Sequence, residues 1–214
     1  MDFQEIRKEY ENTGIQESDL LDDPIQLFRN WYAVAVEKCP GRWLEPNVIA
    51  LGTSDLEGNV SNRYVLMKSI LDEGVQFFTN YDSHKGKQLA ENSKCAIALH
   101  WPYLGRQVRI EGTTSKTSRE VSEAYFHSRP RGSQLGASVS RQSSTIETRK
   151  ALELQKQKLD EQHKNQPIPL PENWGGYLIR PHRFEFWQGR LDRLHDRVVY
   201  EQSEGLWKRR FLAP

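Results

Sequence analysis

A chain of 214 residues can form one sizeable domain or two small ones, and 36% apolar with 10% aromatic residues is enough for a packed core. Thirty basic against 29 acidic residues leave a net charge of +1, which argues against a general affinity for nucleic acid or membranes and leaves anion recognition to local charge. Cys39 and Cys95, the two cysteines, lack metal-ligand spacing and read as reduced thiols, neither a disulfide framework nor a zinc site.

The opening run MDFQEIRKEYENTG is charged and has no hydrophobic signal core, and no apolar run approaches the ~20 residues that span a bilayer. The expectation is a soluble, cytoplasmic protein. Residues 1–20 read as a mobile polar arm, and 21–214 as a single domain. Asp23-Pro24 opens an amphipathic helix in which Leu27, Trp31, Val34 and Ala35 keep helical spacing. From Asn47 the pattern switches to strands: NVIALGTS and VSNRYVLMK as a hairpin across DLEGN, then GVQFFTN. A short helix over HKGKQLAENS precedes two further strands, KCAIALHW and RQVRIEGTTS. Helical patterns follow in SREVSEAYFHSR and TIETRKALELQKQKLDEQHKN, with a shorter turn near SQLGASVS between them. After the Pro-rich break QPIPLPENWGG the chain returns to strands in YLIRPHRFEFWQGR, HDRVVYEQ and LWKRRFLAP. Strands on both sides of a helical insertion suggest a mainly β protein with flanking helices (α+β), one antiparallel barrel closed by its C-terminal strands.

The densest chemistry lies in residues 184–197, FEFWQGRLDRLHDR. On an extended segment Arg193, His195 and Arg197 would point to one side and invite an anionic or electron-rich ligand. Arg63 and Lys68 are five apart, so on a regular strand they would face opposite ways. Either the strand ends or bulges between them, or they serve different ligands. Lys85 stands near a helix start, where backbone amides already attract phosphate. Tyr125, Arg129 and Ser133 recur every four residues, so a near-helical path would stack them as a phosphate cradle, although Pro130 disfavours that path at Arg129.

The runs IRKEY, NRYVLMK, FFTN, RQVRIEG, YFHSRPRGSQLGA, RQSS, WGG, EFWQGRLDRLHDR and RFLAP together resemble the pyridoxine (pyridoxamine) 5′-phosphate oxidase family, in the family's order across nearly the whole chain. The resemblance implies an FMN-binding split β-barrel and a homodimer with FMN at the subunit interface. It implies oxidation of pyridoxine 5′-phosphate and pyridoxamine 5′-phosphate to pyridoxal 5′-phosphate, with O2 as acceptor and H2O2 released. It assigns FMN to Arg63, Tyr64, Val65, Leu66, Lys68, Phe78, Thr79, His84, Lys85, Gln107, Gln142, Ser143, Trp187 and Arg197. Where the family usually shows Arg-Lys, this chain has His84-Lys85. The substrate phosphate falls to Lys68, Tyr125, Arg129 and Ser133, and the pyridine ring to the catalytic pair Arg193 and His195. Arg7 and Tyr10 are placed on an arm over the substrate. Arg190 and Asp192 are left as ordinary surface charges. The rivals are a split-barrel reductase without the vitamin substrate, which need not have Tyr125, Arg129, Ser133, Arg193 and His195, and a non-catalytic carrier of pyridoxal phosphate or FMN.

Overall fold

The structure is a computed structural model and describes Tyr10 and residues 14–214. Helix α1 (Pro24–Glu37) starts at the predicted place: the Asp23 carboxylate accepts the Ile25 amide at 2.8 Å, and Pro24 presets the first turn. Ile25, Phe28, Trp31 and Ala35 form its buried face, with Trp31 edge-on to Phe186 at 5.2 Å.

Five strands and a helix follow: β1 (Val48–Ser54), β2 (Val60–Leu71), β3 (Gly74–Asn80), α2 (His84–Glu91), β4 (Lys94–Trp101) and β5 (Arg106–Lys116). Their side chains alternate as a one-sided sheet requires. Ile49, Leu51 and Thr53 of β1 point inward, as do Cys95, Ile97, Leu99 and Trp101 of β4. Helices α3 (Arg119–Ser128), α4 (Arg131–Val139) and α5 (Arg149–Gln162) form the insertion. Strands β6 (Trp174–Gln188), β7 (Asp196–Ser203) and β8 (Leu206–Leu212) complete the described chain. The sheet runs β3-β2-β1-β4-β5-β6-β7-β8, and an extra β3–β6 pairing closes its first six strands. This is the expected split β-barrel. Among the described residues no helix is long and apolar enough to cross a membrane.

Two bulges shape it. In β2, Met67 pairs with Phe77 and Ser69 with Gln76, so Lys68 is the extra residue. The strand therefore bulges at Lys68 itself. Residues 60–66 pair with β1 alone among the described residues, which leaves one edge of β2 open. In β6, Gly112 of β5 pairs with Pro181 while Glu111 pairs with Arg183, which leaves His182 as the extra residue. Pro181 cannot donate to a ladder and is tolerated at such an irregularity.

Two local expectations are corrected. The stretch near SQLGASVS is a nine-residue helix, α4, because burying Leu135 against Phe126, Ile168, Leu170 and Trp174 outweighs the weak helical preference of its glycines. The run Arg193–Arg197 is not extended. Leu191–Arg193 form a single 3-10 turn, with φ of 53° at Asp192 and 60° at Arg193, and β7 begins only at Asp196. The chain must reverse here so that Arg197 can pair with Trp187, and the reversal places residues in the left-handed region.

Closure across β3–β6 leaves no room for a side chain at Gly74. Its φ is +146°, and a Cβ there would stand 1.9 Å from the Ile179 carbonyl oxygen. We expect Gly74→Ala to cost on the order of 3 kcal/mol in urea denaturation. Gly205→Ala, at φ +80° with nothing within 4 Å, should cost only about 1 kcal/mol. Equal losses would show that closure does not depend on Gly74.

Candidate active site

The open edge of β2, the end of β3, α2, the α3–α4 corner and Trp174 enclose a cavity of about 700 Å³, a size suited to a cofactor or small ligand. Twelve of the sequence-predicted site residues line it: Arg63, Tyr64, Val65, Leu66, Lys68, Phe78, Thr79, Lys85, Tyr125, Arg129, Ser133 and Gln142. Asn80, Pro130, Gly136, Ala137, Ser140 and Trp174 also line it and were not anticipated. All but Ser140 fall within the runs FFTN, YFHSRPRGSQLGA and WGG, which carried the only signal for them.

Cations without counter-charges dominate this cavity. Arg63 donates to the Leu51 carbonyl at 3.0 Å, to Thr53 Oγ1 at 2.6 Å and to Ser61 Oγ, all neutral acceptors. Lys85 Nζ is buried and donates to Gln142 Oε1 at 2.9 Å and to the hydroxyls of Thr79 and Ser83 at 3.3 and 3.4 Å. Burial, and then the nearby Arg63, push the Lys85 ammonium down to about 8. Burial also lowers the Arg63 guanidinium. Ser83 caps α2 by accepting the Gly86 amide at 3.3 Å, so Lys85 sits in a first helical turn that itself favours anions.

Arg129 is the second such group. Helix α3 stops at Ser128, Arg129 is extended at ψ 150°, and Pro130 precedes α4. Tyr125, Arg129 and Ser133 therefore do not share one helical path, because the pre-proline residue is forced out of helical geometry. The break still brings all three to the same cavity. The Arg129 guanidinium lies 4.7 Å from the Trp174 ring centroid, and Trp174 is in turn nearly parallel to Tyr125. Its Nη1 is buried with no hydrogen-bond partner among the described residues, and burial lowers its proton affinity. A buried guanidinium nitrogen without an acceptor is costly unless a ligand supplies one. Arg63, Lys68, Lys85 and Arg129 form no ion pair among the described residues, so the cavity has the donor set of an anion site.

The remaining predicted residues lie elsewhere in the chain. His84 and Ser143 border a neighbouring depression that Gln142 also reaches, and the His84 amide donates to Ser143 Oγ at 3.2 Å. Gln107, Trp187 and Arg197 form a row across β5, β6 and β7, each the direct register partner of the next. The next row, Val108, Phe186 and Val198, is fully buried in the core, so this one faces outward. Arg197 is held by Glu185 at 2.9 Å and donates to the Ala213 carbonyl at 3.0 Å. His195 lies 4.7 Å from Trp187, and Tyr10 is edge-on to both rings. Arg7 lies outside the described residues. Arg190 is exposed, as expected of a surface charge, and its side chain pairs with Asp196 at 3.2 Å; its backbone amide also donates to His195 Nδ1 at 3.0 Å. Glu185 was also missed. Buried at 2% exposure among Arg109, Arg183 and Arg197, it could have been suspected from its strand spacing to Trp187.

Residues 36–163 match the family described as Pyridoxamine 5′-phosphate oxidase, and residues 174–214 match the Pyridoxine 5′-phosphate oxidase C-terminal dimerisation region. The chain is 49% identical to a pyridoxine/pyridoxamine 5′-phosphate oxidase of Rhodopirellula baltica, over 94% of this chain and 90% of that one. It is 45% identical to one of Leptospira biflexa, over 100% and 99%. Among solved structures, PhzG from Burkholderia lata in complex with tetrahydrophenazine-1-carboxylic acid is 31% identical, with a TM-score of 0.88 over 94% of this chain and 98% of its own. A pyridoxamine 5′-phosphate oxidase-related, FMN binding protein from Nostoc punctiforme shares the fold at 18% identity and TM-score 0.70, over 87% and 97%.

The lowered Lys85 value sets a pH dependence. The unfolded chain keeps this proton up to about 10.5, the folded chain only up to about 8. Between those values the unfolded state binds more protons, so stability rises with pH. Without a phosphate-bearing ligand, the wild-type protein should gain on the order of 3 kcal/mol at most across this window relative to Lys85→Met, read from urea midpoints. Parallel curves for the two proteins would place the buried charge elsewhere.

Proposed function

Because the chain belongs to the pyridoxamine 5′-phosphate oxidase family, we propose that it is an FMN-dependent oxidoreductase converting pyridoxine 5′-phosphate and pyridoxamine 5′-phosphate to pyridoxal 5′-phosphate, with O2 as acceptor and H2O2 as second product. The observation that carries this reading is the uncompensated charge of the cavity, above all the orphaned Arg129 Nη1. Two phosphates, one on a cofactor and one on a substrate, need two sets of donors. Arg63 and Lys85, with Thr79, form one set, and Arg129, Lys68, Tyr125 and Ser133 the other.

FMN, when bound, supplies the two-electron acceptor for oxidation at the C4′ carbon. Gln142 offers an amide to the polar edge of its ring, and Tyr64, Val65, Leu66 and Phe78 line its resting place. His84 and Ser143 border it from the adjoining depression. Arg193 orients the substrate ring and balances charge that develops there. In the neutral His195 ring, the Arg190 amide on Nδ1 leaves the proton on Nε2, so Nε2–H is the donor toward a bound ligand.

The outward row Gln107–Trp187–Arg197 and the adjoining Arg193 and His195 do not line the cavity of their own chain. A homodimer built through the C-terminal region accounts for this separation: the row of one subunit completes the cavity of the other. FMN then lies between subunits, and neither chain forms a site alone.

Protein reconstituted with FMN and given pyridoxine 5′-phosphate under air should form aldehyde and peroxide in equal amounts, and unphosphorylated pyridoxine should be a poor substrate. Failure to take up FMN or to form aldehyde would sink the reading. Arg193→Ala should lower turnover by roughly 100-fold with FMN still bound. Subunit sharing has its own test. Lys68→Ala and Trp187→Ala lie on opposite halves of the proposed site, so each exchanged dimer should regain one intact site of two, and the fully exchanged mixture roughly a quarter of wild-type activity. No recovery after demonstrated exchange would place both halves in one chain.

A further inference from the structure

The turn between β6 and β7 is also tied to the N-terminal segment, through a carboxylate that the proposed reaction does not use. Asp196, the first residue of β7, accepts the Ile15 amide on Oδ2 at 2.7 Å, a bond between residues 181 positions apart. Its Oδ1 pairs with Arg190 Nη1 at 3.2 Å. The Arg190 amide in turn donates to His195 Nδ1. One carboxylate thus joins the N-terminal segment to the turn that presents His195.

Two glycines allow this approach. Gly14 has φ +85°, and a Cβ on it would stand 2.4 Å from Asp196 Oδ2. A Cβ on Gly189 would stand 2.5 Å from the Tyr10 ring, so that ring lies directly on the turn. Tyr10 then meets Trp187 edge-on at 5.6 Å and His195 at 5.8 Å. A surface ion pair alone would do little. A carboxylate that accepts a backbone amide from a distant segment at short range fixes where that segment runs.

We propose that Asp196 is a positioning residue: it ties the backbone at Gly14–Ile15 to the 190–196 turn, and so holds Tyr10 across His195 and Trp187. This inference rests on the reading of His195 and Tyr10 as substrate-ring neighbours. Asp196 acts through Tyr10 and need not touch the ligand itself.

The test uses the FMN-loaded full chain. In Asp196→Ala, hydrogen exchange at the Ile15 amide should accelerate about tenfold or more. KM for pyridoxine 5′-phosphate should rise roughly fivefold with kcat and the FMN dissociation constant little changed. Asp196→Asn keeps an acceptor oxygen and should recover most of the loss. Gly14→Ala breaks the same tether from the other side without changing a residue of β7, and should reproduce the Asp196→Ala effects even if that variant folds poorly. If Asp196 works through Tyr10, Asp196→Ala combined with Tyr10→Ala should be no worse than Tyr10→Ala alone. Wild-type exchange at Ile15 in both Asp196→Ala and Gly14→Ala would overturn the tether, and additive losses in the double variant would overturn the route through Tyr10. A wild-type protein that oxidises nothing would fail the functional reading, whereas the exchange measurement would still decide the tether.

Discussion

Strand β6 must pair with three other strands along its fifteen residues, and the rest of the molecule is arranged around that demand. Its first half hydrogen-bonds to β3 and β5 and closes the barrel, while its second half hydrogen-bonds to β5 and β7 and leads into the outer extension. The extra residue His182, next to Pro181, marks the changeover. Because β3 is held on one side by β6, the lower part of β2 can pair with β3 while residues 60–66 stay open. That open edge is a wall of the cavity. The same strand carries Trp174 at its start and Trp187 near its end, so one element supplies both halves of the proposed site.

The two halves handle charge in opposite ways. On the outer face, Glu185 is buried and answered by three arginines, with Arg183 and Arg197 at 3.2 and 2.9 Å. A carboxylate removed from water needs such company. In the cavity, Arg63, Lys85 and Arg129 are drawn from water with only neutral acceptors, and burial lowers the proton affinity of each. Unpaired cations held in place by hydroxyls, an amide and aromatic faces cost stability in the free protein. Held in this way, they would need little reorganisation to meet an anion such as the phosphates of the proposed ligands.

The turn from β6 to β7 is where sequence pattern and tertiary demand part most clearly. Alternating Arg193, His195 and Arg197 have the spacing of a strand, and the resemblance to an oxidase family assigns them to two ligands. Pairing of Trp187 with Arg197 instead forces the chain back on itself within a few residues, and Asp192 and Arg193 take up left-handed geometry to do so. The cation at 193 and the imidazole at 195 are therefore aimed by a turn. Arg190, which the resemblance left without a role, and Asp196 are what hold that turn together.

Alternation over 48–116, the Asp23-Pro24 helix start and the Pro-rich break before Trp174 determined a mainly β fold with inserted helices from sequence alone, since each depends only on local periodicity and backbone chemistry. Motif order likewise determined the family and most of the cavity lining, because Arg63, Lys85, Tyr125, Arg129 and Ser133 stand in short runs with constrained spacing. Tertiary structure alone decided the rest. The bulge at Lys68, the partners of Glu185, the orphaned Arg129 Nη1 and the bond from Ile15 to Asp196 join residues far apart in the chain. No local period encodes such contacts; they exist only once β6 has closed the barrel and brought those segments within hydrogen-bond reach.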